Sequence, residues 1–424
     1  MPAVVLYFHL HQPLRLKPFS LFDLSTTTAD LNEAFAPVNQ PILHKVAAKC
    51  YRPANQMMLD LIRDFPDFKL SYSISGTLVE QLSAYEPDII FQLQQLAASG
   101  RVEFLDETYY HSLASLFSPK EFFRQVSLHR QMIRELFNQE PKAFRNTELI
   151  YNNQLAETVA QMGYQTILAE GVERYLWWRS PNFIYQPPGL PQLKLLLKNY
   201  RLSDDIAFRF SNRDWSGFPV TADKYAHWLS ALNGSAQVVN LFMDYETLGE
   251  HQWDDTGIFE FFRHLPAAVY RHPDNRFLTV SEASEAFPIM DTVDIPEITS
   301  WADLERDVTA WLGNPLQQQA SAALYALESP VYQAGDQNLI KFWQQLTTSD
   351  HFYYMCTKWF ADGDVHKYFS PNNSPLDAYT YFMNVLHALR LKLYANQTTS
   401  PLEANSYQLI TGIPAHDYRY SSAL

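Results

Sequence analysis

The chain has 424 residues, 47% of them hydrophobic, which is enough to bury a large core and leaves room for one big domain with a smaller one appended. A formal charge of -14 argues against nucleic acid or an anionic membrane as partner. The two cysteines, Cys50 and Cys356, stand far apart, which excludes a disulfide framework and a cysteine zinc site.

The apolar run Val4–His9 reads as a buried strand that ends in His9, His11 and Gln12. No basic region followed by an apolar stretch and a cleavage site precedes it, so the default expectation is a cytoplasmic location. No run approaches the length of a membrane-spanning helix. Further strand-like runs at Lys69–Ile74, Val102–Leu105, Ala143–Arg145, Thr166–Leu168, Val238–Met243 and Phe277–Val280 alternate with helical stretches at Gln56–Asp64, Thr77–Ser99, Lys120–Phe137 and Asn153–Gly163. This alternation predicts parallel βαβ units, closed or nearly closed into a barrel over residues 1–300, with chemistry at the carboxyl ends of the strands. Between Glu170 and Asp214 the pattern breaks into a proline-containing, loop-rich insertion over about 170–214 that would shape the cleft. From Asp303 onward helical patterns dominate, at Leu304–Trp311, Pro315–Ser329, Asp336–Thr347 and Leu376–Ala395, predicting a helical domain over 301–424 that packs beside the barrel and contributes to the cleft.

The strand ends carry the candidate chemistry. Val238–Met243 reads as a central strand buried on both faces, and it delivers Asp244 and Glu246 at its carboxyl end. Positions two apart on a strand face the same way, and like charges in a partly desolvated cleft raise at least one carboxyl pKa, as a general acid requires. The alternative is a solvated acidic loop turning at Gly249. Glu148 is followed by Leu149, Ile150 and Tyr151, which pack rather than solvate it, and a buried glutamate needs a partner or a job. Glu103 lies inside an apolar pair on a third strand.

His11-Gln12-Pro13, Gly100-Arg-Val-Glu103, Arg145-Asn-Thr-Glu148, Asp244-Tyr-Glu-Thr-Leu-Gly249 and Ser300-Trp-Ala-Asp-Leu-Glu-Arg-Asp307 with Ala310-Trp-Leu-Gly313 resemble, in order, the five short motifs of glycoside hydrolase family 57. The phrasing is most similar to the compact α-amylase group of that family. The resemblance implies an α/β fold, an incomplete (β/α)7 barrel followed by a C-terminal helical domain. It also implies a retaining, metal-independent enzyme on α-glucans or maltooligosaccharides, with no cofactor. Glu148 matches the catalytic nucleophile and Asp244 the general acid/base. His11, Glu103, Glu246 and Asp303 match positions that line the substrate cleft.

Further candidates come from residue type. Aromatics make up 15% of the chain, and sugar rings present apolar faces that stack on them. Tyr175, Trp177, Trp178, Tyr185 and Trp253 are candidate platforms, and Trp301 adjoins the last motif. His111 follows the third strand closely, as a cleft residue or a structural one, and His251 either supports the loop of Asp244 or contacts substrate. The spacing of His9 and His11 also permits a metal site. The expected activity is hydrolysis of α-1,4-glucosidic bonds. Its rivals are a 4-α-glucanotransferase on the same site, a metal-dependent deacetylase or mannosidase-like barrel, and a non-catalytic α-glucan-binding protein. None of these readings fixes an oligomeric state.

Overall fold

The computed structural model describes residues 2–23, 30–358 and 370–397. Among the described residues, ten strands fall into two five-stranded sheets. The first contains β1 (Ala3–Leu10), β2 (Leu70–Ile74), β3 (Val102–Phe104), β8 (Val238–Asp244) and β9 (Arg276–Phe277), in the order β3-β2-β1-β8 with β9 paired to β1. The second contains β4 (Ala143–Arg145), β5 (Thr166–Glu170), β6 (Tyr185–Gln186), β7 (Lys194–Lys198) and β10 (Asp291–Thr292), in the order β10-β6-β7-β5-β4. Every pairing is parallel except β6 with β7.

All eight residues of β1 are buried, which is why the strand is continuously apolar rather than alternating. Its register sets His9 opposite Ser73 on one side and Asp244 on the other. The two sheets meet where Asp106 bridges in parallel to Phe144. On the other flank the Asn199 N–H donates to the Asn240 carbonyl at 2.9 Å, and Asn240 Nδ2 donates to the Leu197 carbonyl at 2.8 Å. The carboxyl ends of β1, β4, β5, β7 and β8 therefore open on one side.

Beyond Trp301 the described elements are helices, among them Pro315–Tyr325, Gln337–Leu346, Ser349–Tyr353 and Pro375–Gln397. Their shared core, built around Trp311, Trp343 and Leu386, also takes in Leu16 and Phe19 from the segment after β1, Leu113 from that after β3 and Ile150 from that after β4. The helices thus pack on the segments that follow the carboxyl ends of β1, β3 and β4. The expected helical domain beyond residue 397 lies outside the described residues. No described helix is long and apolar enough to cross a membrane.

Several expectations need correction. The stretch read as a loop-rich insertion contains β7, an interior strand of its sheet, and the helix Tyr200–Ala207. The apolar run Leu193–Leu197 was its signal, masked by the prolines before it. The run Thr77–Ser99 is two helices, Gly76–Tyr85 and Pro87–Ala98, because Pro87 starts a new first turn and cannot continue the old one. Val280 leaves the strand of Phe277 and opens the helix Val280–Ala286, whose capping box is formed by Thr279 and Glu282. Leu304–Val308 are turns, and only Thr309–Leu312 is helical.

Candidate active site

Asp244 is the last residue of β8 and faces His9 of β1 in register. Glu148 comes from the segment after β4, where the chain turns through two successive non-glycine residues in the left-handed region, Glu148 at φ 58 and Leu149 at φ 51. Such a conformation costs on the order of 1–3 kcal/mol per residue and persists only where the surroundings impose it. Here Leu149 is fully buried, and the Glu148 carbonyl accepts from the Trp301 backbone N–H at 3.2 Å. His111, which contacts Glu148, is also left-handed, at φ 50.

A continuous line of contacts joins the two carboxylates. Glu148 Oε1 lies 3.0 Å from His111 Nε2, and His111 Nδ1 lies 3.3 Å from Glu107 Oε2. The same Glu107 oxygen lies 3.3 Å from His9 Nε2, and His9 Nδ1 lies 3.7 Å from Asp244 Oδ1. Glu107 is fully buried at the centre of this line, with Arg145 Nη1 at 3.9 Å. Burial opposes its charge, but His9, His111 and Arg145 outweigh burial and hold its carboxyl well below the usual range. Burial likewise opposes a charge on His111, yet its bonds to Glu107 and Glu148 raise it to about 9, so it carries a proton on each nitrogen at neutral pH.

For Glu148, burial pushes the carboxyl up, but the bond and charge of His111, aided by Arg145, bring it below its ordinary value. The indole N–H of Trp301 donates to Glu148 Oε2 at 2.7 Å and the Ser349 hydroxyl to Oε1 at 3.3 Å. The Glu148 carboxylate is thus held as an oriented anion. Arg145 is fully buried, its three guanidinium nitrogens have no protein hydrogen-bond partner, and its carbon lies 5.0 Å from the centre of the Trp301 ring.

On the other flank, Asp244 keeps a side chain 40% exposed to the cleft while its neighbours are buried. Burial of its inner part pushes its pKa up, but His9, then His251 and Arg145, leave it lowered. Glu246 behaves oppositely. Burial, then the charge of Asp244, pushes it up to about 8, against the hydrogen bonds it accepts from the Tyr51 hydroxyl and the His11 backbone N–H. His11 lies in the same wall, with Nδ1 2.6 Å from Ser75 Oγ and Nε2 3.1 Å from Asp350 Oδ2. Burial and the neighbouring His111 lower it to about 4, so it is neutral and donates from Nε2 to Asp350. Gly249, at φ 106, makes the turn behind Glu246, and a Cβ there would collide with the Lys49 carbonyl.

Residues 5–296 match the family described as Glycosyl hydrolase family 57. The chain belongs to that family. It is a glycoside hydrolase by that membership. A Methanocaldococcus jannaschii protein named provisionally as an alpha-amylase is 42% identical over 393 residues, spanning 90% of this chain and 82% of its own length. A branching enzyme of the same family from Thermococcus kodakaraensis superposes with a TM-score of 0.64 at 12% identity, covering 95% of this chain and 92% of its own. The 4-alpha-glucanotransferase of Thermococcus litoralis superposes with a TM-score of 0.54 at 17% identity, over 88% of this chain and 53% of the transferase. Both structural likenesses are of fold.

Within this family-57 chain, the structure brings His11, His111, Glu246 and Trp301 together with Glu148 and Asp244, and it places His251 within the electrostatic reach of Asp244. Trp253 sits farther out, 56% exposed, with Lys49 Nζ 5.2 Å from its ring centre. Two expected cleft residues are spent elsewhere. Glu103 lies lower on its strand, level with Ser71, and accepts from the Ser281 backbone N–H at 2.9 Å and from the Ser281 hydroxyl, capping the helix Val280–Ala286. Asp303, at φ 55, accepts from Lys358 Nζ at 2.8 Å and pins the turn after Trp301. The acid that fills the space expected for Glu103 is Glu107, beyond the end of β3. Its signal was the spacing Glu107-Thr-Tyr-Tyr-His111 just after a buried strand. Ser349 and Asp350 come from a helix distant in sequence, so only its docking sets them against Glu148 and His11.

Two overlapping triads, His9–Glu107–His111 and His11–His111–Asp350, bring ligand-type atoms within 4.8 Å of one another. His111 belongs to both, and its bonds to two carboxylates keep it doubly protonated. A cation would have to displace those protons, and the Arg145 guanidinium beside Glu107 opposes a further positive charge there.

Proposed function

We propose that this enzyme cleaves α-1,4-glucosidic bonds in α-glucans or maltooligosaccharides with retention, through a glycosyl-enzyme intermediate on Glu148. The observation that carries the reading is the line Glu148–His111–Glu107–His9–Asp244, which couples an oriented carboxylate to a second one open to the cleft. The overall likeness to the M. jannaschii relative supports the amylase type. The strand order, bridged at Asp106 and Phe144 and joined again at Asn199 and Asn240, supports the incomplete (β/α)7 barrel with an appended helical domain.

Glu148, ionised and held by His111, Trp301 and Ser349, attacks the anomeric carbon as the glycosidic bond breaks. Asp244 gives the proton to the departing oxygen. In the free enzyme its carboxyl is lowered, so substrate must first cover its exposed side; desolvation then raises it, and Glu246, protonated to about pH 8, is the adjacent proton store. Once the sugar is bonded to Glu148 the negative charge there is gone, and Asp244 as an anion takes the proton from the incoming water. His11, Asp350 and Trp301 form the walls that would hold the sugar hydroxyls. No step requires a metal or cofactor.

Glu148→Gln and Asp244→Asn variants incubated with maltoheptaose, alongside wild type with and without chelator, test the reading. Shorter products from wild type alone, unaffected by chelator, are expected, with the α-anomer appearing first. Cleavage by Glu148→Gln at the wild-type rate would refute it. The enclosure of Glu148, whose side chain is 18% exposed between Trp301 and His111, also favours a shielded intermediate that a sugar acceptor can intercept. Disproportionation of maltotriose into longer chains would assign the chain to transfer rather than hydrolysis.

A further inference from the structure

Trp177 and Trp178 are 82% and 80% exposed, an arrangement that packing does not explain. They follow the short helix Glu173–Leu176, which begins just past the carboxyl end of β5 and so stands on the face where Glu148 and Asp244 emerge. Arg174 of that helix fastens it to the loop behind the nucleophile, with Nη1 2.8 Å from the Glu305 carbonyl and Nη2 3.3 Å from the Arg306 carbonyl. Arg306 in turn bonds the Trp301 carbonyl, and Trp301 holds Glu148. The two rings are thus mounted on the rim of the site.

The backbone pays for their position. Trp177 lies at φ 57 and ψ -108, a conformation that suits glycine and not a bulky side chain. Around the rings the chain is polar, with Glu173, Arg174, Arg179 and Ser180, and the Arg179 guanidinium lies 5.2 Å from the Trp178 ring centre. A bilayer-docking surface would surround the rings with exposed aliphatic side chains, which Glu173, Arg174, Arg179 and Ser180 are not. Isolated aromatic faces among hydrogen-bonding groups match a sugar, whose apolar faces are edged by hydroxyls.

We infer that Trp177 and Trp178 form a platform outside the catalytic cleft that binds a run of an α-glucan polymer and feeds it to the site. This rests on the α-glucan reading above and adds a second binding locus to it.

The test is retardation of the full-length protein in gels containing amylopectin, together with kcat/KM on amylopectin and on maltotetraose, for wild type, Trp177→Ala/Trp178→Ala and Trp177→Gly. The double variant is expected to bind amylopectin about ten-fold more weakly, and its ratio of polymer to maltotetraose kcat/KM to fall by a similar factor. Trp177→Gly is expected to weaken polymer binding without lowering Tm, because glycine relieves the backbone. Cleavage of maltotetraose with undiminished amylopectin binding in the double variant overturns the platform alone. A wild type that leaves maltotetraose intact overturns the α-glucan reading and the platform's assigned ligand with it.

Discussion

His111 Nε2 lies 3.0 Å from Glu148 Oε1 while its other nitrogen faces Glu107, so one imidazolium is shared by two carboxylates. The pair orients Glu148 and holds its pKa down, and each effect depends on the proton that His111 keeps to about pH 9. Replacing His111 with Gln is expected to lower kcat/KM by roughly 10–100-fold, the scale of one to two pKa units of lost charge stabilisation. It should also move the acidic limb of the pH profile upward, because Glu148 then ionises at higher pH. In the wild type activity should fall first near pH 8 as Glu246 gives up its proton and again near pH 9 as His111 does, and the variant should lose only the second step. A variant profile that overlies the wild-type one would refute the role.

Glu107 and Glu103 make opposite predictions although both are acids of the same segment, the first fully buried and the second half-buried. Glu107→Gln leaves His9, His111 and Arg145 facing a neutral amide, and breaking a buried charge network costs about 3–5 kcal/mol. A clear fall in Tm and a collapse of kcat are expected together. Glu103→Ala removes a helix cap remote from the carboxylate pair, at a cost of about 1–2 kcal/mol, and should leave kcat on maltoheptaose near wild type. Thermal unfolding followed by initial rates on the same preparations separates the two cases.

What was legible in the sequence was whatever strand physics writes locally. Val238–Met243 is apolar without alternation because both its faces are covered, and the acid at its end is therefore conspicuous. Glu148 was legible for the same reason, as a carboxylate followed by residues that pack. Glu103 misled because a glutamate within an apolar strand looks the same whether it faces substrate or caps a helix from the far end of the chain. Arg145 was hidden as an ordinary strand residue, and His9, though conspicuous at its strand end, has partners that only register sets. The strand β7 was obscured by its proline-rich approach, and Asp350 reaches His11 only through the docking of a distant helix.

Trp301 offers a test of orientation apart from charge. Its indole N–H is 2.7 Å from Glu148 Oε2, and its ring lies beside Arg145 and Lys198. Trp301→Phe keeps a ring and deletes the donor. A loss of about ten-fold in kcat is expected, the size of one hydrogen bond to a charged group, with KM changed less and Tm nearly unaltered. Equal losses in kcat and Tm would instead make the residue a structural prop.

Glu246 links the site to stability through pH, and the sign follows from its raised pKa. Below its unfolded value of 4.5 the carboxyl is protonated in both states, and folding carries no penalty. Between 4.5 and about 8 the unfolded chain ionises it while burial and the charge of Asp244 keep the folded one neutral, so stability is lost progressively across that window. The full effect is on the order of a few kcal/mol. Glu246→Gln is neutral at every pH and can still accept from Tyr51, so it should escape this loss. Its Tm, measured beside wild type, is expected to differ least at pH 4 and to gain steadily up to pH 8, beyond which the difference should level off. A constant difference across that range would mean that Glu246 is ionised in the folded enzyme and cannot serve as the proton store beside Asp244.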